Sequence, residues 1–202
     1  MSTGYNNNVS ERFAQLARMR ETVFHARDLA NLWGISNNNT LYTTLKRYAE
    51  RGLLFRIYKG LYSIFPAGEI DPLFLGVKAL HEYAYVSTET ILMEAGVIAQ
   101  KINWITLVSS KSKKFSAGGN AYLSRHLADK FLFNPTGIEN KGGVFLARPE
   151  RAAADLLYFN PSAYLDGANL LDWKKVKIIQ KEIGYPLTPK YYDYSKSKRR
   201  SA

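Results

Sequence analysis

The chain contains no cysteine. Disulfides, thiolate metal sites and cysteine nucleophiles are therefore excluded, and a reducing cytoplasm is the expected location. No apolar run approaches the roughly 18 residues of a membrane span. The start, Met1 to Asn8, has neither the basic nor the apolar region of a secretory signal, so none is expected. Histidine is scarce: His25, His81 and His126 lie far apart and fit no metal-ligand spacing. Dinucleotide and Walker A glycine loops are missing. Ser87, Ser109 and Ser110 lack the elbow motif of a hydrolase nucleophile. No catalytic set, metal or cofactor is expected. Acids are also few, 17 against 28 Lys and Arg, which leaves a net charge of +11 over 202 residues. Hydrophobic residues make up 46% of the chain, enough for a packed core.

The charge is uneven. Residues 1–68 carry nine Lys and Arg against four acids, a net +5. Residues 69–189 carry fourteen against twelve, and residues 190–202 five against one. A basic surplus gathered at the two ends favours a polyanionic partner. These ranges are also the expected domains: a DNA-binding domain at 1–68, a second domain at 69–189 and a basic tail at 190–202.

The stretch from Asn37 to Phe65 is the most informative. Leu41, Leu45 and Tyr48 recur at helical spacing and mark one buried face. The opposite face carries Asn38, Asn39, Tyr42, Thr43, Lys46 and Arg47, with no acid among them. Gly52 stops the helix. Arg56, Tyr58 and Tyr62 then interleave with Phe55, Ile57, Leu61 and Ile64 around a Lys59-Gly60 turn, which reads as a hairpin. Upstream, a helix from Ser10 to Arg20 follows a disordered start at 1–9. Thr22 to Phe24 forms a short strand, Ala26 to Trp33 a second helix, and Gly34-Ile35-Ser36 a tight turn. Three helices, a turn and a basic hairpin predict a winged helix-turn-helix. Its helix suits the major groove of double-stranded DNA and its hairpin the adjacent backbone. Asn can bond an adenine edge and Thr can meet a thymine methyl, whereas Lys46, Arg47, Arg56 and Lys59 suit phosphates. Tyr58 is open to packing inward instead.

A linker at Pro66 to Pro72 precedes the second domain. There the pattern predicts a helix at Leu73–Tyr83, an extended piece at Tyr85–Ser87, and a helix through Gly96 capped by Ser87. Strands are expected at Trp104–Ser109, Ala121–Leu127, Phe131–Ile138 and Val144–Ala147, with a basic loop at Lys111–Phe115. Helices follow at Glu150–Phe159, opened by Pro149, and at Leu170–Ile183. The fold class is therefore α+β, a winged helix-turn-helix followed by a mixed α/β domain. Glu89, Glu94 and Asp155 are carboxylates without a matching lysine on a strand, so they make no nuclease site. Arg151 and Asp155, four apart, are expected to pair structurally. Lys111, Lys113 and Lys114 leave open a second nucleic-acid contact, and Tyr191, Tyr192 and Tyr194 leave open stacking on bases.

Two pieces read together carry a family resemblance. One is the hairpin Arg56-Ile-Tyr-Lys-Gly-Leu-Tyr62. The other comprises Tyr85-Val-Ser-Thr-Glu-Thr90, Ile105-Thr-Leu-Val108 and Arg148-Pro-Glu-Arg-Ala-Ala-Ala-Asp-Leu-Leu157. In this order they resemble the AbiEi-type antitoxins of abortive-infection systems, over about Ser10 to Gly184. The resemblance implies an autorepressor whose N-terminal domain binds its operator. It also implies a C-terminal domain with antitoxin activity against a nucleotidyltransferase toxin encoded nearby, without a stable complex. The asparagine-rich start and the basic end depart from the family's pattern. Two other readings stay open: a nuclease or nucleotide-modifying enzyme targeted by the winged helix, and a protein-interaction module. The operator and the oligomeric state are not legible.

Overall fold

The computed structural model describes residues 3–19 and 21–189, with side chains from Val9 onward. The basic tail, with Tyr191, Tyr192 and Tyr194, lies outside the described residues. The protein is mixed α+β, and its chain divides into two compact units, the first running to Asp71 and taking in Ala117–Gly119, the second holding the rest from Pro72.

The first unit places α1 (Thr3–Met19), β1 (Val23–His25), α2 (Ala26–Leu32) and α3 (Asn38–Glu50) before a hairpin of β2 (Phe55–Tyr58) and β3 (Leu61–Ser63). The helix α1 starts at Thr3, not at Ser10, so the start is not disordered throughout. Val9 supplies a reason, since it shares a face with Phe13 and Leu16 and packs against the same core. Asn37 sets the start of α3: its side-chain oxygen accepts from the backbone N–H of Asn39 at 2.9 Å and of Thr40 at 3.1 Å. These bonds satisfy donors that the first helical turn leaves free. Leu41, Leu45 and Tyr48 are buried together with Leu29, Phe24 and Leu54. Each such aliphatic side chain contributes about 1.5–3 kcal/mol on burial. Tyr48 lies between the rings of Phe13 and Trp33, and its hydroxyl accepts from Arg12 at 3.2 Å.

In the sheet the order is β1-β3-β2, with both pairings antiparallel. The hairpin turns at Lys59-Gly60, where Gly60 has φ +92, a conformation that disfavours any side chain. Because β3 is the central strand, all three of its residues are buried. Tyr62, expected among the polar positions, is therefore a core residue.

The second unit contains α4 (Pro72–Leu80), β4 (Ala84–Val86), α5 (Glu89–Glu94), β5 (Ile105–Ser109), β6 (Lys113–Ala117) and β7 (Asn120–His126). It continues with α6 (Asp129–Leu132), β8 (Ile138–Lys141), β9 (Val144–Ala147), α7 (Pro149–Phe159) and α8 (Trp173–Ile183). Its sheet runs β6-β7-β5-β4-β9-β8, with β4–β9 and β5–β7 parallel and β4–β5 and β8–β9 antiparallel.

Several expectations need correction here. The basic loop at Lys111–Phe115 is largely the edge strand β6, where exposed lysines guard an unpaired edge. The strand expected at Phe131–Ile138 is instead the short helix α6 and a loop, because Pro135 and the left-handed Gly137 interrupt any extended run. Helix α8 starts at Trp173, where Asp172 caps it by accepting from the N–H groups of Lys174 and Lys175. Helix α4 ends at Leu80, before a left-handed His81. Ser87 does not cap α5; its hydroxyl is committed elsewhere, and Thr88 holds the cap position without a side-chain bond.

Candidate functional site

All eight residues singled out from the sequence are exposed. Asn38 and Asn39 occupy the first turn of α3, with Tyr42, Thr43, Lys46 and Arg47 following on its outer face. The cap at Asn37 is made by that side chain alone, so Asn38 and Asn39 are not used to build the helix end. Lys46 lies 3.8 Å from Glu50, with side chains 77% and 61% exposed. An exposed pair of this kind is worth a few tenths of a kcal/mol at most, so it does not withhold Lys46 from another anion.

Arg56 projects from β2 and Lys59 from the turn, both exposed. Tyr58 is half-buried, and burial pushes its hydroxyl above the ordinary phenol range. Arg56 stands opposite Tyr62 in the hairpin. The Tyr62 hydroxyl is pushed up first by burial; the Arg56 guanidinium works against that, and the Tyr42 hydroxyl adds to it. One tyrosine on the central strand therefore feels both the outer face of α3 and the outer strand of the hairpin. Tyr62 also packs in one core with Leu41, Leu45 and Tyr48 of α3 and stands opposite Arg56 of β2, so helix and hairpin share that anchor. Sequence periodicity did not reveal this anchor, because a central strand is buried on both faces and does not alternate.

The second unit holds a different kind of cluster. Arg151 and Asp155 form an ion pair at 2.9 Å, both side chains 0% exposed. Asp155 Oδ1 also accepts from Tyr185 at 2.8 Å, and Oδ2 accepts from Ser87 at 2.7 Å and Tyr85 at 3.1 Å. Arg151 donates further to the carbonyls of Asn134 at 3.0 Å and Thr136 at 2.9 Å, and to Tyr85 at 2.7 Å. Burial, and after it the Asp155 carboxylate, raise both tyrosine hydroxyls far above their usual range. Burial alone would lower Arg151, but Asp155 and the tyrosines outweigh it and hold it above its ordinary value. The cluster is a fixed cation in a cage of acceptors, with every Asp155 lone pair in use. It ties α7 to β4 and to the loop after α6. The spacing of Arg151 and Asp155 was visible in the sequence; Tyr85, Ser87 and Tyr185 join them from far along the chain.

The other carboxylates do not join this group. Glu89 pairs with Arg125, and its second oxygen is buried without a partner. Glu94 is the one carboxylate lining a cavity of about 400 Å³ between Leu73, Met93, Trp104 and Asn120. Thr88, just before Glu89, has φ +55 and a buried hydroxyl without a partner. His25 lies in β1, His81 after α4 and His126 at the end of β7. Among the described residues no three His, Asp or Glu side chains group so as to hold a metal ion. No helix among them is long and apolar enough to cross a membrane.

No protein-family model matches the sequence, and no curated protein does. The fold is similar to that in the crystal structure of the RV2827C protein from Mycobacterium tuberculosis, with a TM-score of 0.54 over 95% of this chain and 75% of that one. At 13% sequence identity this likeness is one of fold.

Proposed function

We propose that the first unit is a winged helix-turn-helix that binds double-stranded DNA. In this reading α3 enters the major groove and the β2–β3 hairpin lies along the backbone. Asn38, Asn39, Tyr42 and Thr43 face bases, and Lys46, Arg47, Arg56 and Lys59 hold phosphates. The observation that carries it is an exposed polar and basic face on α3 together with exposed Arg56 and Lys59 on a hairpin whose Tyr62 packs in the same core as that helix. The protein then acts in the cytoplasm as a sequence-specific repressor of its own operon. The resemblance of the chain, over about Ser10 to Gly184, to AbiEi-type antitoxins supports a role in phage defence, against a nucleotidyltransferase toxin encoded nearby.

A salt titration of two variants on operator and random DNA tests the DNA reading. Lys59→Ala should weaken both complexes alike and lower the salt slope by about 0.9, the counterion released per phosphate. Asn39→Ala should cost about 1–3 kcal/mol on the operator and little on random DNA. The assignment of helix and hairpin is wrong if Lys59→Ala acts on the operator alone, or if Asn39→Ala acts equally on both. The antitoxin part predicts a nucleotidyltransferase gene beside this one, whose toxicity co-expression of this chain relieves; no such gene, or no recovery of growth, refutes that part.

A further inference from the structure

The cavity of about 400 Å³ in the second unit plays no part in the DNA reading. Its walls come from elements that are each held in place. Helix α5 is only six residues long because Gly96, at φ +71, ends it. The chain after it is anchored: Val97 and Ile98 are buried, and the N–H of Ala99 donates to the Asp166 carboxylate at 3.0 Å. Residues 100–104 then cross to β5, whose Ile105 pairs with Tyr122 of β7. This crossing, held at both ends, lines the cavity together with Leu73 of α4, Met93 and Glu94 of α5 and the start of β7.

Leu73, Met93, Ile102, Trp104 and Ile105 make the lining largely apolar. Trp104 is 37% exposed, a large ring left in water, and the Lys114 ammonium lies 5.5 Å from its centre without joining the lining. Two charged side chains interrupt this surface, Glu94 and Lys101, both exposed. Among the described residues no ion pair joins the two or holds either. Small-molecule sites run to about 300–1,000 Å³, mostly apolar, with a few polar groups that fix orientation. This cavity has that make-up at the small end of the range. One acid and one base give its lining no net charge. A small ligand with one charge of each sign beside an apolar group matches it. A nucleotide would instead set several negative charges against one lysine and a repelling carboxylate.

We propose that this cavity binds a free α-amino acid with a large apolar side chain. Glu94 accepts from the ligand's ammonium, Lys101 donates to its carboxylate, and the side chain lies against Trp104, Met93 and Leu73. Both polar contacts are charge-assisted, the stronger class of hydrogen bond. Withdrawing the Trp104 ring and the ligand side chain from water adds an attraction without direction. The two charges supply the direction, and with it selectivity against plain amines and plain acids. The site lies within the second unit and does not depend on the DNA reading.

The test is isothermal titration calorimetry on the full chain with L-phenylalanine, L-leucine and glycine. Phenylalanine or leucine should bind, and glycine about tenfold more weakly or worse, having no side chain to bury. The amino acid that binds is then compared with the amine that lacks its carboxylate and the acid that lacks its ammonium. Either loss should weaken binding about tenfold or more. Glu94→Gln should erase the preference over the acid and keep that over the amine; Lys101→Gln should do the reverse. Trp104→Ala should weaken amino acid, amine and acid by the same factor. Melting curves show whether the variants are folded, and the comparison of ligands on the unaltered chain stands without them. The proposal is overturned if neither amino acid binds at millimolar concentration, or if either analogue binds as tightly as the amino acid. Folded variants that keep both preferences overturn it too. Binding of AMP that Trp104→Ala abolishes, without binding of an amino acid, overturns it in favour of a nucleotide.

Discussion

Replacing Asp155 by alanine should cost the second unit about 3–5 kcal/mol, the usual penalty for leaving a buried charge without its partner. The structure sets the size. Asp155 accepts four hydrogen bonds, from Arg151, Tyr185, Ser87 and Tyr85, at 2.7–3.1 Å. After truncation Arg151 keeps the carbonyls of Asn134 and Thr136 and the Tyr85 hydroxyl, but no negative charge. Lost hydroxyl bonds, each worth about 1 kcal/mol, lie within the same range because the network acts as a unit. Arg151→Met with Asp155→Leu removes both charges and should recover part of the loss; the Tyr85, Ser87 and Tyr185 hydroxyls and the Asn134 and Thr136 carbonyls still lose their partners, which holds back the rest. The assay is urea unfolding followed through Trp173, which is buried in α8, in a background where Trp33 and Trp104 are Phe. With a slope of about 1–3 kcal/mol per molar urea, the midpoint of Asp155→Ala should fall by on the order of 2 M. A cost below about 1 kcal/mol would refute the reasoning. So would a double variant as unstable as the single one, because the unpaired charge would then not be the source.

Thr88→Gly should stabilise the second unit by about 1–2 kcal/mol, read as a rise in melting temperature. It relieves a β-branched residue at positive φ and removes an orphaned hydroxyl, at a smaller cost in a buried methyl and chain entropy; a loss of stability would show that the hydroxyl has a role. Gly137→Ala should destabilise by about 2–4 kcal/mol, because φ is +74 and the new Cβ would stand 2.8 Å from the Cβ of Arg151. A melting temperature within a degree of the parent would contradict this. Asn37→Ala should cost the first unit about 1 kcal/mol in urea unfolding, with Asn37→Asp near the parent, since either side chain can cap; equal losses in both variants would argue against the cap.

The sequence made α3 legible because two signals agreed there. Leu41, Leu45 and Tyr48 gave the buried face and Gly52 the stop, while the cap at Asn37 is seen only in the structure. The exposed polar face then followed by geometry, and all eight of its and the hairpin's candidate residues are at the surface. Agreement was poorer where one signal stood alone. Phe131 to Ile138 looked like a strand, but the four-residue helix α6 and Pro135 prevailed. Lys113 and Lys114 looked like loop because exposed edge strands carry the residues loops carry. Ser87 looked like a cap because local spacing allowed it; a carboxylate 68 residues away claimed its hydroxyl. Contacts of that range leave no periodic trace.

The central position of β3 also bears on how the first unit assembles. Strands β2 and β3 meet across a two-residue turn, so their pairing closes a very short loop. Strand β1 reaches β3 from nearly forty positions away, through Val23 to Ser63 and His25 to Leu61. Closing such a loop is costlier and slower than a local turn. The hairpin and the helices α2 and α3 can therefore form early, with β1 docking last to complete the sheet. A shortened segment between β1 and β3 would speed that final step, whereas weakening the β1 pairing would chiefly hasten unfolding.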